Sequence, residues 1–303
     1  MSVLSREFKQ RYLAPGACIQ LVAPAGPFHS ADFERGVAML QRYYEVQYEP
    51  EIVARQGYLA GSDARRLQEL QSALDNPHAD AIVAARGGYG VTRLLDRLDV
   101  SELRRRVPLL VGFSDVTALH ALWAQAEVAS VHGGMVAALG RGSEERFERW
   151  RDAVEGRYPV RYDGLECLQP GAAEGLLLGG NLAVLSALLG TPHFPPLDQA
   201  VLFLEDIGER PYRVDRMLTH WRSAGAFRGV RAIVLGAFVQ GDPGPDGVPV
   251  ENVLRERLSD LGIPVAAGLP CGHLEDNAEL PFGRWVQLDA TGGTLYLDGW
   301  RGA

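Results

Sequence analysis

The sequence predicts an α/β fold built on a parallel sheet with helices on both faces. Strand-length apolar runs alternate with helical patterns along the chain, and the runs are continuously apolar instead of alternating with polar residues. That pattern belongs to strands buried on both faces. The runs also end in small-residue loops, Pro24-Ala-Gly26, Arg86-Gly-Gly88 and Gly112-Phe-Ser-Asp115, and in such sheets functional groups collect at the carboxyl ends of the strands.

Ala17 to Ala23 reads as the first strand. Ser30 then caps an amphipathic helix running to about Tyr44, with Phe33, Val37 and Leu40 near helical spacing. Val46 to Tyr48 is a short second strand. Ser62 starts a helix with Leu67, Leu70 and Leu74 on one face, ended by Asn76-Pro77. Ala81 to Ala85 is a third strand, followed by Arg86-Gly-Gly-Tyr-Gly90 and a helix through Leu98. Pro108 to Phe113 is a fourth strand, turning at Gly112-Phe-Ser-Asp115 into a helix from Val116 to Gln125. Val128 to Val131 precedes His132-Gly-Gly134, and Glu144 to Val154 is a surface helix.

Periodicity is lost between Glu155 and Ala173, a stretch rich in Gly and Pro. The expected organisation is therefore an N-terminal domain over residues 1–155, a linker over 156–169 and a C-terminal domain over 170–303. The second half carries Gly175 to Leu182, a short helix to Leu189, and a strand Val201 to Leu204 ending in Glu205-Asp206. A helix covers Tyr212 to Ser223, a strand Ala232 to Phe238, and a helix Glu251 to Leu261. Val265 to Leu269 leads into Pro270-Cys-Gly-His273, and Trp285 to Leu288 with Thr294 to Leu297 forms a hairpin.

Bulk properties narrow the function classes. With 303 residues, 47% hydrophobic and 22% charged, the chain has an ordinary globular composition. A net charge of -8 argues against nucleic acid as the partner. The three cysteines, Cys18, Cys167 and Cys271, have no close spacing, which argues against a disulfide scaffold and against a structural metal site. No run approaches the roughly 20 apolar residues of a membrane span. The charged start, Met1 to Arg11, is a poor signal peptide, so the expectation is a cytoplasmic protein with no membrane partner, no metal and no cofactor. The glycines of Arg86-Gly-Gly-Tyr-Gly90 do not fit a nucleotide fingerprint, and read better as close backbone approach with amides pointing into a crevice.

Three residues at strand ends carry candidate chemistry. Ser114 sits where a strand turns into a helix, which exposes a hydroxyl beside orphan helix amides, the logic of a nucleophile elbow. The usual Gly-x-Ser-x-Gly pattern is broken by Val116, and on this segment alone an N-cap serine is the commoner reading. His273 follows a tight turn; as a lone residue it stands evenly between a site base and a surface histidine. Glu205 directly continues a buried run and so needs a partner, such as a histidine proton, whereas Asp206 and Glu209 read as a charged strand terminus with local ion pairs. Composition and spacing do not show that the three meet.

Taken together, Val22-Ala-Pro-Ala25, Tyr58-Leu-Ala-Gly61, Ala85-Arg-Gly-Gly-Tyr-Gly90, Gly112-Phe-Ser-Asp115, His132-Gly133, Gly179-Gly-Asn-Leu182, Leu204-Glu-Asp-Ile-Gly-Glu209 with Tyr212-Arg213, and Gly272-His273 with Asn277 and Leu280-Pro-Phe-Gly283 resemble the LD-carboxypeptidase family of serine peptidases. The resemblance spans about Ile19 to Asp289. It implies a flavodoxin-like N-terminal domain and a smaller, β-rich C-terminal domain with the site between them. It also implies a Ser114–Glu205–His273 triad and an oxyanion hole from the backbone amides of Gly88 and Asp115; a carboxypeptidase must also bind a free carboxylate, and Arg86, beside Gly87, is the substrate-binding candidate by position alone. The implied activity releases a terminal D-amino acid from cell-wall (murein) tetrapeptides by cleaving an L,D-peptide bond, and the implied assembly is a homodimer. One departure stands out: many relatives have Gly-His-Gly around the base, whereas this chain has Gly272-His273-Leu274. The alternatives are the related microcin-immunity branch, which cleaves aminoacyl-nucleotide conjugates, and a non-catalytic binding protein on a similar scaffold. Trp150, the tryptophan between Gly140 and Gly175, reads as packing and not as a base-stacking residue.

Overall fold

A computed structural model of the chain describes residues 7–159, 161–245 and 247–297. The chain divides into two units, Met1–Arg157 with Glu279–Gly283, and Tyr158–Ala278 with Arg284–Ala303.

In the first unit the apolar runs become β1 (Cys18–Val22), β2 (Glu45–Gln47), β3 (Ala81–Ala84), β4 (Leu109–Gly112) and β5 (Ser130–His132). They pair in parallel in the order β5-β4-β3-β1-β2, the flavodoxin-like arrangement. Every residue of β3 and β4 is buried, as a strand covered on both faces requires. The helices are α1 (Ser30–Leu40), α2 (Asp63–Asp75), α3 (Leu103–Arg106), α4 (Thr117–Gln125), α5 (Val136–Leu139) and α6 (Glu144–Val154). Helix α4 buries eight consecutive residues, Thr117 to Ala124, so it lies inside the unit with no solvent face. Helix α6 has a clear inner stripe, and its Trp150 is fully buried with its indole N–H donating to Gly134 O at 2.9 Å.

The second unit is an eight-stranded mixed sheet. Its strands are β6 (Arg161–Asp163), β7 (Glu166–Gln169), β8 (Ala172–Asn181), β9 (Ala200–Ile207), β10 (Ala232–Val239), β11 (Val265–Ala267), β13 (Trp285–Asp289) and β14 (Thr294–Tyr296). They run in the order β6-β14-β13-β8-β9-β10-β11-β7. The central four, β8 to β11, are parallel, connected through α7 (Leu182–Leu188), α8 (Pro211–Ala224) and α9 (Val250–Leu258). The C-terminal hairpin pairs β13 with β14.

Three local expectations are corrected. Ser30 is the first residue of α1 and not its cap; the N-cap is His29, with no side-chain hydrogen bond. No α-helix follows Gly90: two single 3-10 turns, Val91–Arg93 and Leu95–Arg97, stand there. The Val91 amide that would begin a helix is taken by the Asp115 carboxylate at 2.9 Å. The stretch 156–169 contains β6 and β7, short and largely exposed strands that pair with β14 and β11. Short edge strands need no apolar alternation, which is why periodicity fails there. One more strand, β12 (Leu280–Phe282), joins the first unit's sheet antiparallel to β5, with Leu280 opposite His132.

Candidate active site

In the first unit the loops after β1, β3 and β4 meet at the carboxyl edge of the sheet. Strand β4 ends at Gly112, Phe113 is extended (φ -156), and Ser114, left-handed at φ 62, is the first residue of the 3-10 turn Ser114–Val116 that leads into α4. A non-glycine residue held there stores on the order of 1–2 kcal/mol of strain. The turn folds so tightly that a Cβ on Gly112 would stand 2.8 Å from Val116 Cγ1. Val116 is therefore tolerated because the glycine that makes room lies at 112. Ser114 does not cap a helix: the N-cap of the 3-10 turn is Phe113 and that of α4 is Val116, neither with a side-chain capping bond.

The β3 loop packs on this elbow. A Cβ on Gly87 would stand 2.9 Å from Ser114 Cβ and 3.1 Å from its Oγ, so only glycine lets the backbone come so close. Gly26 N–H donates to Gly87 O at 3.0 Å. In a trans peptide the C=O and the following N–H point opposite ways, so the Gly88 amide is turned away from Gly26. No backbone carbonyl accepts from it among the described residues. Arg86 is exposed and donates to Pro27 O, so part of its guanidinium braces the β1 loop. Asp115 is 2% exposed, and burial pushes its carboxyl up to about 6 while the Val91 amide and Arg66 pull the other way.

Beneath the elbow, His120 of α4 bridges β4 and β5. Its Nε2–H donates to Gly112 O at 2.9 Å, and its Nδ1 accepts from Ser130 Oγ at 2.7 Å. Burial pushes its pKa down to about 4, so the ring is neutral, which the Nδ1 acceptor role requires. As a helical histidine it gave no signal in sequence beyond its type.

In the second unit Glu205 lies in β9, fully buried. His273 Nδ1 is 2.7 Å from Glu205 Oε2. A carboxylate can only accept, so Nδ1 carries the proton, and in the neutral ring Nε2 bears the lone pair, the form a general base needs. The loop that delivers His273 is seated in a β-bulge: β10 loses register with β9 between Leu235 and Phe238. Cys271 O accepts from Ala237 N there at 2.8 Å. Gly236 makes room, since a Cβ on it would stand 2.3 Å from Cys271 O. Asn277 Oδ1 accepts from Gly272 N at 2.6 Å. Gly272 itself is at φ 122, where a Cβ would stand 2.9 Å from Glu205 Oε2. Leu274 closes the turn through its N–H to Gly272 O at 2.9 Å, and its φ is not positive, so this departure from Gly-His-Gly brings no strain.

Asp206 corrects the sequence reading of a charged terminus. It is 3% exposed and accepts from Asn181 Nδ2 at 3.0 Å, Ala183 N at 2.8 Å and Ile207 N at 2.8 Å. It thus holds the N-terminus of α7, and burial pushes its carboxyl up to about 6. Adjacent carboxylates, Glu205 and Asp206, have separate duties because successive strand residues face opposite sides. Among the described residues no group of three or more His, Cys, Asp or Glu is arranged to hold a metal, and no helix is long and apolar enough to cross a membrane.

An elbow serine stands in one unit and a carboxylate–histidine pair in the other, and family models match both halves of the chain. Residues 19–133 match the LD-carboxypeptidase N-terminal domain, and residues 174–288 the LD-carboxypeptidase C-terminal domain. The chain belongs to the LD-carboxypeptidase family. A relative from Synechocystis sp. is 39% identical across 97% of this chain and 99% of its own. The crystal structure of muramoyltetrapeptide carboxypeptidase from Oxalobacter formigenes has a TM-score of 0.80 at 31% identity, covering 92% of this chain and 97% of that one. The microcin C7 self immunity protein MccF, in complex with aspartyl sulfamoyl adenosine, has a TM-score of 0.85 at 23% identity over 95% of this chain and 97% of its own; at that identity the likeness concerns the fold. In this member of the family, Ser114, Asp115, Arg86, Gly87 and Gly88 belong to the first unit, where Gly87 lies against Ser114. Glu205 and His273 belong to the second, in direct hydrogen-bond contact.

Proposed function

We propose that the chain is a cytoplasmic, homodimeric serine carboxypeptidase that cleaves the L,D-peptide bond of murein tetrapeptides and releases the terminal D-amino acid. The observation that carries this reading is the buried Glu205–His273 contact, which fixes the tautomer with Nε2 as acceptor. In the proposed reaction His273 Nε2 takes the proton of Ser114 Oγ as the oxygen attacks the scissile carbonyl. Glu205 stabilises the imidazolium that forms. The amides of Gly88 and Asp115 receive the oxyanion. Collapse of the tetrahedral intermediate returns the proton from His273 to the leaving amine, and the D-amino acid departs. Water, deprotonated by the same histidine, then hydrolyses the acyl-Ser114 ester. Arg86 and Gly87 contact the substrate, the guanidinium of Arg86 being matched to a terminal carboxylate.

The test is to incubate the enzyme separately with a murein tetrapeptide and with an aminoacyl-nucleotide conjugate. Release of D-alanine from the first alone supports the proposal, and hydrolysis of the conjugate alone supports the microcin-immunity activity in its place. Ser114→Ala and His273→Ala should each abolish release; hydrolysis that survives either substitution overturns the mechanism. Sedimentation velocity reads the assembly.

A further inference from the structure

The inner face of α2 carries charge where its periodicity calls for carbon. Arg66 is fully buried and Glu69 is 5% exposed, on the same face as Leu70, Ala73 and Leu74. Burying a guanidinium costs several kcal/mol, and an apolar side chain of similar size would serve packing equally well. The donors of Arg66 account for its presence. Nη1 donates to Pro24 O, in the loop after β1, and to Gly90 O, at 2.8 Å, in the loop after β3. Nη2 donates to Asp63 Oδ1 at the start of the same helix. Gly90 is shaped around this group: it lies at φ 133, and a Cβ there would stand 2.6 Å from Arg66 Nη1. From the third loop, the Asp115 carboxylate accepts from Val91 N, one residue beyond Gly90, and feels the Arg66 charge. One guanidinium thus ties carbonyls of two loops, and its charge acts on the carboxylate of the third.

Those loops also touch one another without side chains between them. Gly26 N–H holds Gly87 O, and Gly87 lies against Ser114. The orientation of the Gly87–Gly88 peptide is therefore set by how far apart the β1 and β3 loops stand.

We propose that Arg66 is a positioning residue for the reaction, its guanidinium setting the spacing of the Pro24–Gly26 and Arg86–Gly90 loops so that the Gly88 amide is aimed at the developing oxyanion. This rests on the reading of Ser114 as nucleophile and Gly88 as oxyanion donor. A planar fork that serves two carbonyls and a carboxylate at once is what Arg supplies and Lys does not.

The experiment compares wild type, Arg66→Lys and Arg66→Met in three measurements: kcat and KM on the tetrapeptide, inhibition by a peptide boronate that forms a tetrahedral adduct on the serine, and melting temperature. Removing one oxyanion donor typically lowers kcat 10²–10³-fold. Arg66→Met should accordingly lose about 10²-fold in kcat with KM within about threefold, and boronate affinity should fall in step with kcat. Arg66→Lys, which keeps the charge but not the fork, should lose about 10-fold. Methylguanidinium should restore part of kcat to Arg66→Met, a rescue that a merely destabilised variant would not show. If Arg66→Met does not fold, Arg66→Lys decides by the same parallel between kcat and boronate affinity. A folded variant whose kcat and boronate affinity stay within twofold of wild type overturns the proposal. Retained hydrolysis by Ser114→Ala would instead overturn the site reading beneath it, so the two failures are separable.

Discussion

Ser114 is held in a conformation its side chain disfavours, and that strain is measurable apart from catalysis. At φ 62 glycine pays no Cβ penalty, whereas alanine pays the same one as serine. Ser114→Gly should therefore be more stable than Ser114→Ala by about 1 kcal/mol, in chemical denaturation, although both lack the hydroxyl. Equal stabilities would mean that the left-handed turn is not strained in solution. In the second unit, Glu205→Gln keeps the shape of a buried side chain but can present an amide N–H to His273 Nδ1. The ring would then carry its proton on Nε2, the wrong tautomer for a base. On the proposed mechanism kcat should fall about 10³–10⁴-fold with KM little changed. A loss under tenfold would remove Glu205 from the reaction.

At the scale of elements, the bulge in β10 is what presents His273. Gly236→Ala drives a Cβ toward Cys271 O at 2.3 Å, and Gly175→Ala drives one toward Gln199 O at the same 2.3 Å, near the opposite end of β9. Both should lose about 1–3 kcal/mol of stability by overpacking. On the proposed mechanism only Gly236→Ala should also lose activity, about 10–10²-fold in kcat/KM, because a shift near 1 Å in a reacting group is that costly; equal activity in the two folded variants would show that the bulge does not position the loop. The strands on which these sites stand were legible because burial on both faces leaves continuous apolar runs, as in Leu109 to Gly112. The candidate residues Ser114, Glu205 and His273 were legible as polar residues punctuating such runs. The bulge was not, since a one-residue slip leaves Ala232 to Val239 equally apolar. Nor was the face of α2, where periodicity points Leu67 inward and backbone carbonyls of neighbouring loops recruit Arg66 instead. Partners such as these are far apart in sequence, and a helical pattern assigns charge to solvent by default.

Taken over the whole chain, the return of Glu279–Gly283 to the first unit was equally hidden, because β12 is three residues long and contains Pro281, which only an edge position tolerates. This short return carries a buried acid. Glu279 is 6% exposed, and among the described residues its Oε1 has no hydrogen-bond partner. Burial raises its pKa from 4.5 to about 7, with Arg146, its own amide and that of Gly134 opposing. Asp115 in the same unit and Asp206 in the other are both raised to about 6, again by burial first. A carboxyl that binds its proton more tightly when folded contributes stability that is present below its unfolded pKa and lost as pH rises through the folded value. For Glu279 the window is pH 4.5 to 7 and for Asp115 and Asp206 pH 3.8 to 6, so the folded protein should weaken as pH rises through these windows, before alkaline effects begin. Glu279→Gln removes the ionisation and isolates this contribution. Whatever offset the amide introduces at pH 5, the stability of the variant relative to wild type should improve by on the order of 2 kcal/mol between pH 5 and pH 8. Urea unfolding at the two pH values reads it directly. A difference that stays constant with pH would mean that Glu279 titrates normally and that its orphan oxygen reaches water; a difference moving the other way would mean that the carboxylate, and not the acid, is the form the fold prefers.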